Sequence, residues 1–137
     1  MSLLNESYDV IYKCLIEKAT QTVIIGCKDA AIPEDKTVTR IGAYAFYECQ
    51  ELDRDIEIPN NIEYIDSCAF YGCKSIKSIT IPEGVDYIGS YAFSGCSSLV
   101  SLTIPKKVKN IAAHAVAGCS KLANMNIPAG AIPLRQF

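Results

Sequence analysis

The stretch "IGSYAFSGCSSLVSLTIP", Ile88–Pro105, decides the fold, because the chain says it four times. It stands as "IGAYAFYECQELDRDIEIP" from Ile41, "IDSCAFYGCKSIKSITIP" from Ile65 and "IAAHAVAGCSKLANMNIP" from Ile111. Pro59, Pro82, Pro105 and Pro128 fall at a strict period of 23 residues. Counting from Cys73, apolar residues recur at Ile76, Ile79, Ile81, Val85, Ile88, Ala92 and Phe93, with Pro82 after Ile81. From Cys96 the same slots hold Leu99, Leu102, Ile104, Val108, Ile111, Ala115 and Val116. The first unit is looser, with one extra residue in "QELDRDIEIP" and two before Val38. The last is truncated, with Ala131 and Leu134 in its Val and Ile slots.

Each unit mixes two periods. "SITI" and "SLTI" alternate polar and apolar residues, the pattern of a half-buried strand, and proline ends the strand because it has no N–H to donate. "VxxI" is a second short extended run. "YAFSGC" spaces Ala, Phe and Cys as a tight helical turn would. One unit cannot bury its apolar side alone, whereas stacked copies bury a continuous core. The predicted fold is therefore a repeat solenoid of 23-residue units, mainly β with short helical turns. Residues 32–137 form the array of about four repeats. Residues 1–31 form an N-terminal cap, in which the apolar runs Val10–Ile16 and Val23–Ile25 flank the polar turn "EKATQ" as a β-hairpin.

The repeat is similar to the leucine-rich repeats of the BspA-like family, whose units read Cys-x-x-Leu-x-x-Ile-x-Ile-Pro-x-x-Val-x-x-Ile-Gly-x-x-Ala-Phe. The resemblance covers residues 32–134, and the N-terminal stretch "YDVIYKCLIEKATQTVIIGCKDAAIP" resembles a hairpin element of that family. It implies an α/β horseshoe-like leucine-rich repeat and a bacterial surface or secreted protein that binds other proteins, commonly in adhesion.

At 137 residues, half of them apolar, the chain is one domain's worth of sequence with a real core. A net charge of −2 with no basic stripe removes the electrostatic footprint of a nucleic-acid binder, and no apolar run approaches the ~18 residues that cross a bilayer. The N-terminus carries neither a basic n-region nor an apolar h-region, so no secretion signal is expected in this chain.

Seven cysteines and one histidine hold the candidate chemistry. Cys49, Cys73, Cys96 and Cys119 occupy one slot and are expected to be a structural ladder of small buried hydrophobes. A zinc site lacks a Cys-x-x-Cys pair and a second histidine. Cys68 falls in the variable slot of Tyr44, Tyr91 and His114. Cys14 and Cys27 flank the hairpin and either face each other as a disulfide or lie apart as two buried thiols. His114 has no partnered nucleophile in the pattern, so neither catalysis nor a cofactor is expected. In "LDRDIEIP", inward Ile56 and Ile58 put Asp53, Asp55 and Glu57 on one face, which is either solvated or a metal or carbohydrate site.

The outward strand face presents Asp55 and Glu57, then Ser78 and Thr80, then Ser101 and Thr103, then Asn124 and Asn126. Short polar side chains lose little rotamer freedom when covered, and repeat arrays bind through extended faces of this kind. The strip projects roughly 200–250 Å², against ~800 Å² per partner in a stable interface. The expected function is a non-enzymatic protein-interaction module, its partner a protein such as a host or matrix protein, within a longer array. The alternative is a structural spacer that displays another domain. Tyr64 with Tyr87, Tyr44 with Tyr91, and Tyr47 with Tyr71 share slots as rim packing or as a second contact surface. The uncapped C-terminal unit, "IPAGAIPLRQF", adds an expectation of end-to-end self-association.

Overall fold

In the computed structural model the description covers residues 8–11, 14–26, 31–34, 36–108 and 110–126. The 23-residue spacing appears directly as strand register. Tyr64–Ile65 (β6), Tyr87–Ile88 (β8) and Asn110–Ile111 (β10) pair in parallel, Tyr64 beside Tyr87 beside Asn110. Ile56–Glu57 (β5), Ser78–Thr80 (β7), Ser101–Thr103 (β9) and Asn124–Asn126 (β11) form a second parallel sheet, Ser78 beside Ser101 beside Asn124. Arg40–Ile41 (β4) joins the first sheet beside β6. The result is a mainly β solenoid of about three turns, two sheets facing each other across one core.

The strands are two or three residues long because each rung needs only one inward side chain per sheet. In β7 and β9 the central Ile79 and Leu102 are buried, while Thr80 and Thr103 are exposed. Pro82 and Pro105 then close the strands, after Ile81 N–H has bonded Thr103 O at 3.1 Å.

The "YAF" segment differs from the helical turn expected. It forms consecutive i→i+3 bonds, such as Ala69 N–H to Asp66 O and Tyr71 N–H to Cys68 O, both at 3.2 Å. Left-handed residues interrupt it before a helix can propagate: Tyr44, Cys68, Tyr91 and His114 have φ of 58 to 61°, and Gly72, Gly95 and Gly118 have φ of 71 to 75°. The freed backbone groups bond across rungs instead, Phe46 N–H to Ala69 O, Phe70 N–H to Ala92 O and Phe93 N–H to Ala115 O, each at 2.8 Å. Among the described residues there is no helix.

Phe46, Phe70 and Phe93 stack down the middle of the core, with centroids 5.0 and 5.6 Å apart. Columns of Ile41, Ile65, Ile88 and Ile111, and of Leu52, Ile76 and Leu99, flank them. Each such fully buried side chain contributes ~1.5–3 kcal/mol, so every added rung stabilises the stack.

The N-terminal region is a three-stranded element, one strand more than the predicted hairpin. Val10–Ile16 breaks into Tyr8–Ile11 (β1) and Cys14–Glu17 (β2), which pair antiparallel. The turn at Lys18–Gln21 then leads into Thr22–Ile25 (β3), antiparallel to β2 and parallel to β4. β3 therefore acts as an additional rung of the first sheet. The second sheet has no such extension among the described residues and begins at β5.

Candidate interaction surface

The outward residues of β5, β7 and β9 stand in one line. Glu57 is in register with Thr80 and Thr80 with Thr103, all three exposed, and Asn126 continues the register on β11. Ser78 and Ser101 form a parallel line but are half-buried, with Asn124 next in register. The side chains of Asn124 and Asn126 lie outside the described residues. Asp55 is exposed just ahead of β5, as is Asp53.

At the proline end of this face a cleft of about 540 Å³ opens, lined by Glu34, Lys36, Glu57, Asn61 and Thr80. Asn61 holds its wall in place, donating from Nδ2 to Val38 O at 2.7 Å and to Pro33 O at 3.0 Å. Glu34, Lys36 and Asn61 were not among the sequence-predicted site residues. Glu34 and Lys36 belong to the irregular stretch "IPEDKTVTRIG", with its two extra residues, whereas Asn61 stands in the regular unit that follows.

The carboxylates near β5 do not build a cation cage. Among the described residues no three His, Cys, Asp or Glu side chains gather to hold a metal ion; Asp53, Asp55 and Glu57 form an exposed acidic stretch.

A second patch runs along the turns. Tyr44, Tyr47 and Tyr91 are 57, 45 and 40% exposed. Tyr47 stacks on Tyr71 at 5.3 Å, and Tyr91 on His114 at 5.1 Å. Slot-sharing thus produces packing and exposure together, and His114 is one more ring of this column. On the first sheet Arg40 occupies the slot of Tyr64 and Tyr87. It pairs with Asp66 at 2.8 Å and lies over the Tyr64 ring at 4.4 Å.

The cysteine slot is a buried column with unequal members. Cys73, Cys96 and Cys119 each aim Sγ at the phenylalanine carbonyl one rung earlier: Phe46 O at 2.9 Å, Phe70 O at 3.3 Å and Phe93 O at 3.0 Å. Burial pushes the Cys73 thiol up to about 12. Its hydrogen bond with the Cys119 thiol, and then burial, raise Cys96, and the same bond lowers the half-buried Cys119. Cys49 is buried and disulfide-bonded, so the first rung departs from the reading of four equivalent thiols. Cys14 is a free, buried thiol directed at Ala31 O at 3.4 Å, which corrects the Cys14–Cys27 disulfide. Cys27 itself lies outside the described residues, as do residues 127–137, on which end-to-end association was expected.

Six copies of the BspA type leucine rich repeat region match residues 25–136. The chain belongs to the BspA-type leucine-rich repeat family. Solved structures with the same fold include a leucine rich cell surface protein from Faecalibacterium prausnitzii, 28% identical with a TM-score of 0.57 over 88% of this chain and 39% of that one. A leucine-rich repeat protein from Bacteroides capillosus is 26% identical, with a TM-score of 0.69 over 78% of this chain and 88% of that one. The pneumococcal vaccine antigen PcpA shares the fold at 21% identity and a TM-score of 0.63, over 96% of this chain and 38% of that one. No curated protein is significantly similar. This BspA-type chain thus spans about two fifths of the F. prausnitzii surface protein. No helix among its described residues is long and apolar enough to cross a membrane.

Proposed function

We propose that the chain is a non-enzymatic protein-interaction module of a cell-surface or secreted, adhesin-like protein, and that it binds a protein partner through the polar face of β5, β7, β9 and β11. The observation that carries this reading is the exposed column Glu57–Thr80–Thr103, held in register by backbone pairing and continued by β11. A rigid row of short polar side chains loses little entropy on being covered and offers hydrogen bonds at strand spacing. The family supports protein binding, and the surface location of the F. prausnitzii relative and the antigen name of PcpA support exposure outside the cell. Binding area is the limiting quantity. Further rungs of a longer array, or the cleft at Glu34 and Lys36, would supply the ~800 Å² per partner of a stable interface.

The test is a binding screen against immobilised extracellular-matrix and serum proteins, with a Thr80→Arg/Thr103→Arg variant beside the unaltered chain. Both substitutions are at exposed positions, so folding is retained and saturable binding is expected to disappear. Equal binding by both would move the contact surface elsewhere. The half-burial of Ser78 and Ser101 favours a second reading, a structural spacer, since it narrows the available face. A spacer predicts no saturable binding by the chain or by a longer array.

A further inference from the structure

The first sheet carries an outward row of its own. Arg40, Tyr64, Tyr87 and Asn110 stand in register on β4, β6, β8 and β10. Thr39, Glu63 and Asp86 precede the first three, one rung apart, linked by Glu63 N–H to Thr39 O and Asp86 N–H to Glu63 O, both at 2.8 Å. Glu63 and Asp86 are exposed, and among the described residues neither carboxylate has an ion-pair partner.

One end of this row shows what chemistry the surface accepts. The Arg40 guanidinium lies over the Tyr64 ring at 4.4 Å and pairs with Asp66 at 2.8 Å. A planar cation against a ring face with a carboxylate at its edge suits a guanidinium better than an ammonium. One rung on, the ring recurs as Tyr87 and a carboxylate as Asp86, yet among the described residues no arginine or lysine lies over Tyr87. Rings that share a slot elsewhere close up, Tyr47 on Tyr71 at 5.3 Å and Tyr91 on His114 at 5.1 Å. Tyr64 and Tyr87 share a slot too, but among the described residues no ring contact joins them. A cleft of about 600 Å³ opens there instead, lined by both half-buried tyrosines, Arg40, Asp86 and Asn110.

Charge fixes the sign of the guest. Asp66 neutralises Arg40, so Asp86, with Glu63 one rung back, leaves the rim of the cleft negative. The chain up to Asp86 carries all 15 acidic residues and 8 of the 13 basic ones, and the field of that half draws cations.

We propose that the cleft between Tyr64 and Tyr87 is a guanidinium slot, in which an arginine side chain of a protein partner lies against the Tyr87 ring and pairs with Asp86. It is a second contact surface, on the other sheet from β5, β7, β9 and β11, and stands whether or not that polar face binds. An arginine held on aromatic rings is the kind of anchor that dominates a protein interface.

The test is an NMR titration of the full chain, its tyrosine rings carbon-13 labelled, with end-blocked Gly-Arg-Gly, Gly-Lys-Gly and the citrulline analogue. The arginine peptide is expected to shift the Tyr64 and Tyr87 ring signals saturably. The lysine peptide should bind about 3–5-fold more weakly, and citrulline, planar but uncharged, should not bind. Asp86→Asn, at an exposed position, should weaken arginine binding about 3–5-fold. Tyr87→Leu should do the same, and Asp86→Asn decides if Tyr87→Leu lowers the Tm. No saturable shift, equal binding of the arginine and lysine peptides, or binding unchanged by Asp86→Asn overturns the proposal. The same two rings shifting as the protein alone is concentrated would make the occupant a second copy and overturn the assignment to a partner.

Discussion

The Sγ of Cys73 donates to the carbonyl oxygen of Phe46 at 2.9 Å, one rung back and 27 residues earlier in the chain. That carbonyl also accepts from Cys49 N–H at 3.2 Å, so the thiol adds a second, weaker partner to a group already satisfied. Cys73→Ala therefore leaves no orphaned acceptor. What it removes is a sulfur's packing and one weak hydrogen bond, a loss of ~1–2 kcal/mol. Urea unfolding should show a lower midpoint with an unchanged slope. A loss above ~4 kcal/mol would mean that the column does more than fill space.

The same burial sets a pH dependence. The Cys73 pKa rises from 9.0 to about 12 on folding. Between those values the unfolded chain binds fewer protons than the folded one, so stability falls as pH rises through that window. Unfolding midpoints should be flat from pH 7 to below 9 and then decline towards pH 12, with Cys73→Ala declining less steeply. Equal slopes in the two proteins would count against the assignment.

Within the column, reactivity should follow position. Cys119 is half-buried, and hydrogen bonding from the Cys96 thiol favours its thiolate, whereas Cys73 and Cys96 are fully buried and pushed up. Brief alkylation of the native protein at pH 8 is expected to modify Cys119 well before Cys73 or Cys96. Simultaneous modification of all three would indicate that the rungs open together.

Two glycines of the same unit should behave differently. A Cβ on Gly89 would lie 2.5 Å from Ser67 N and 2.7 Å from Asp66 C, backbone atoms of the neighbouring rung. Gly89→Ala is expected to cost ~1–3 kcal/mol by forcing rungs apart. Gly84 is exposed and its Cβ would stand 3.1 Å from Asn60 O, so Gly84→Ala should change stability by ~0.5 kcal/mol or less. Thermal melts of the two variants make the comparison.

The rung pattern was legible in the sequence because each unit touches only its neighbours, which makes the spacing of buried residues identical from rung to rung. Ile79 and Leu102 point inward as their alternation required, and Thr80 and Thr103 outward. The left-handed turns were less legible. Gly72, Gly95 and Gly118 signal one such position, but Tyr44, Cys68, Tyr91 and His114 adopt positive φ without any glycine to announce it. Inter-rung hydrogen bonding imposes that conformation, as Tyr44 N–H to Ser67 O and Cys68 N–H to Ser90 O show. The cysteine pairing misled for a conformational reason. Cys14 opens one strand of the predicted hairpin, yet its side chain is buried and directed at Ala31 O rather than across the hairpin. The Glu34 and Lys36 side of the cleft comes from an irregular insertion, to which no periodicity applies.

Because Tyr64 aligns with Tyr87 and Ser78 with Ser101 at one fixed interval, a gene encoding this chain can lose or gain a whole unit by recombination between its own repeats. Every junction so created keeps the register that already exists, and apolar slots still meet apolar slots in the core. The number of rungs can then change without altering the register that holds the outward columns in line.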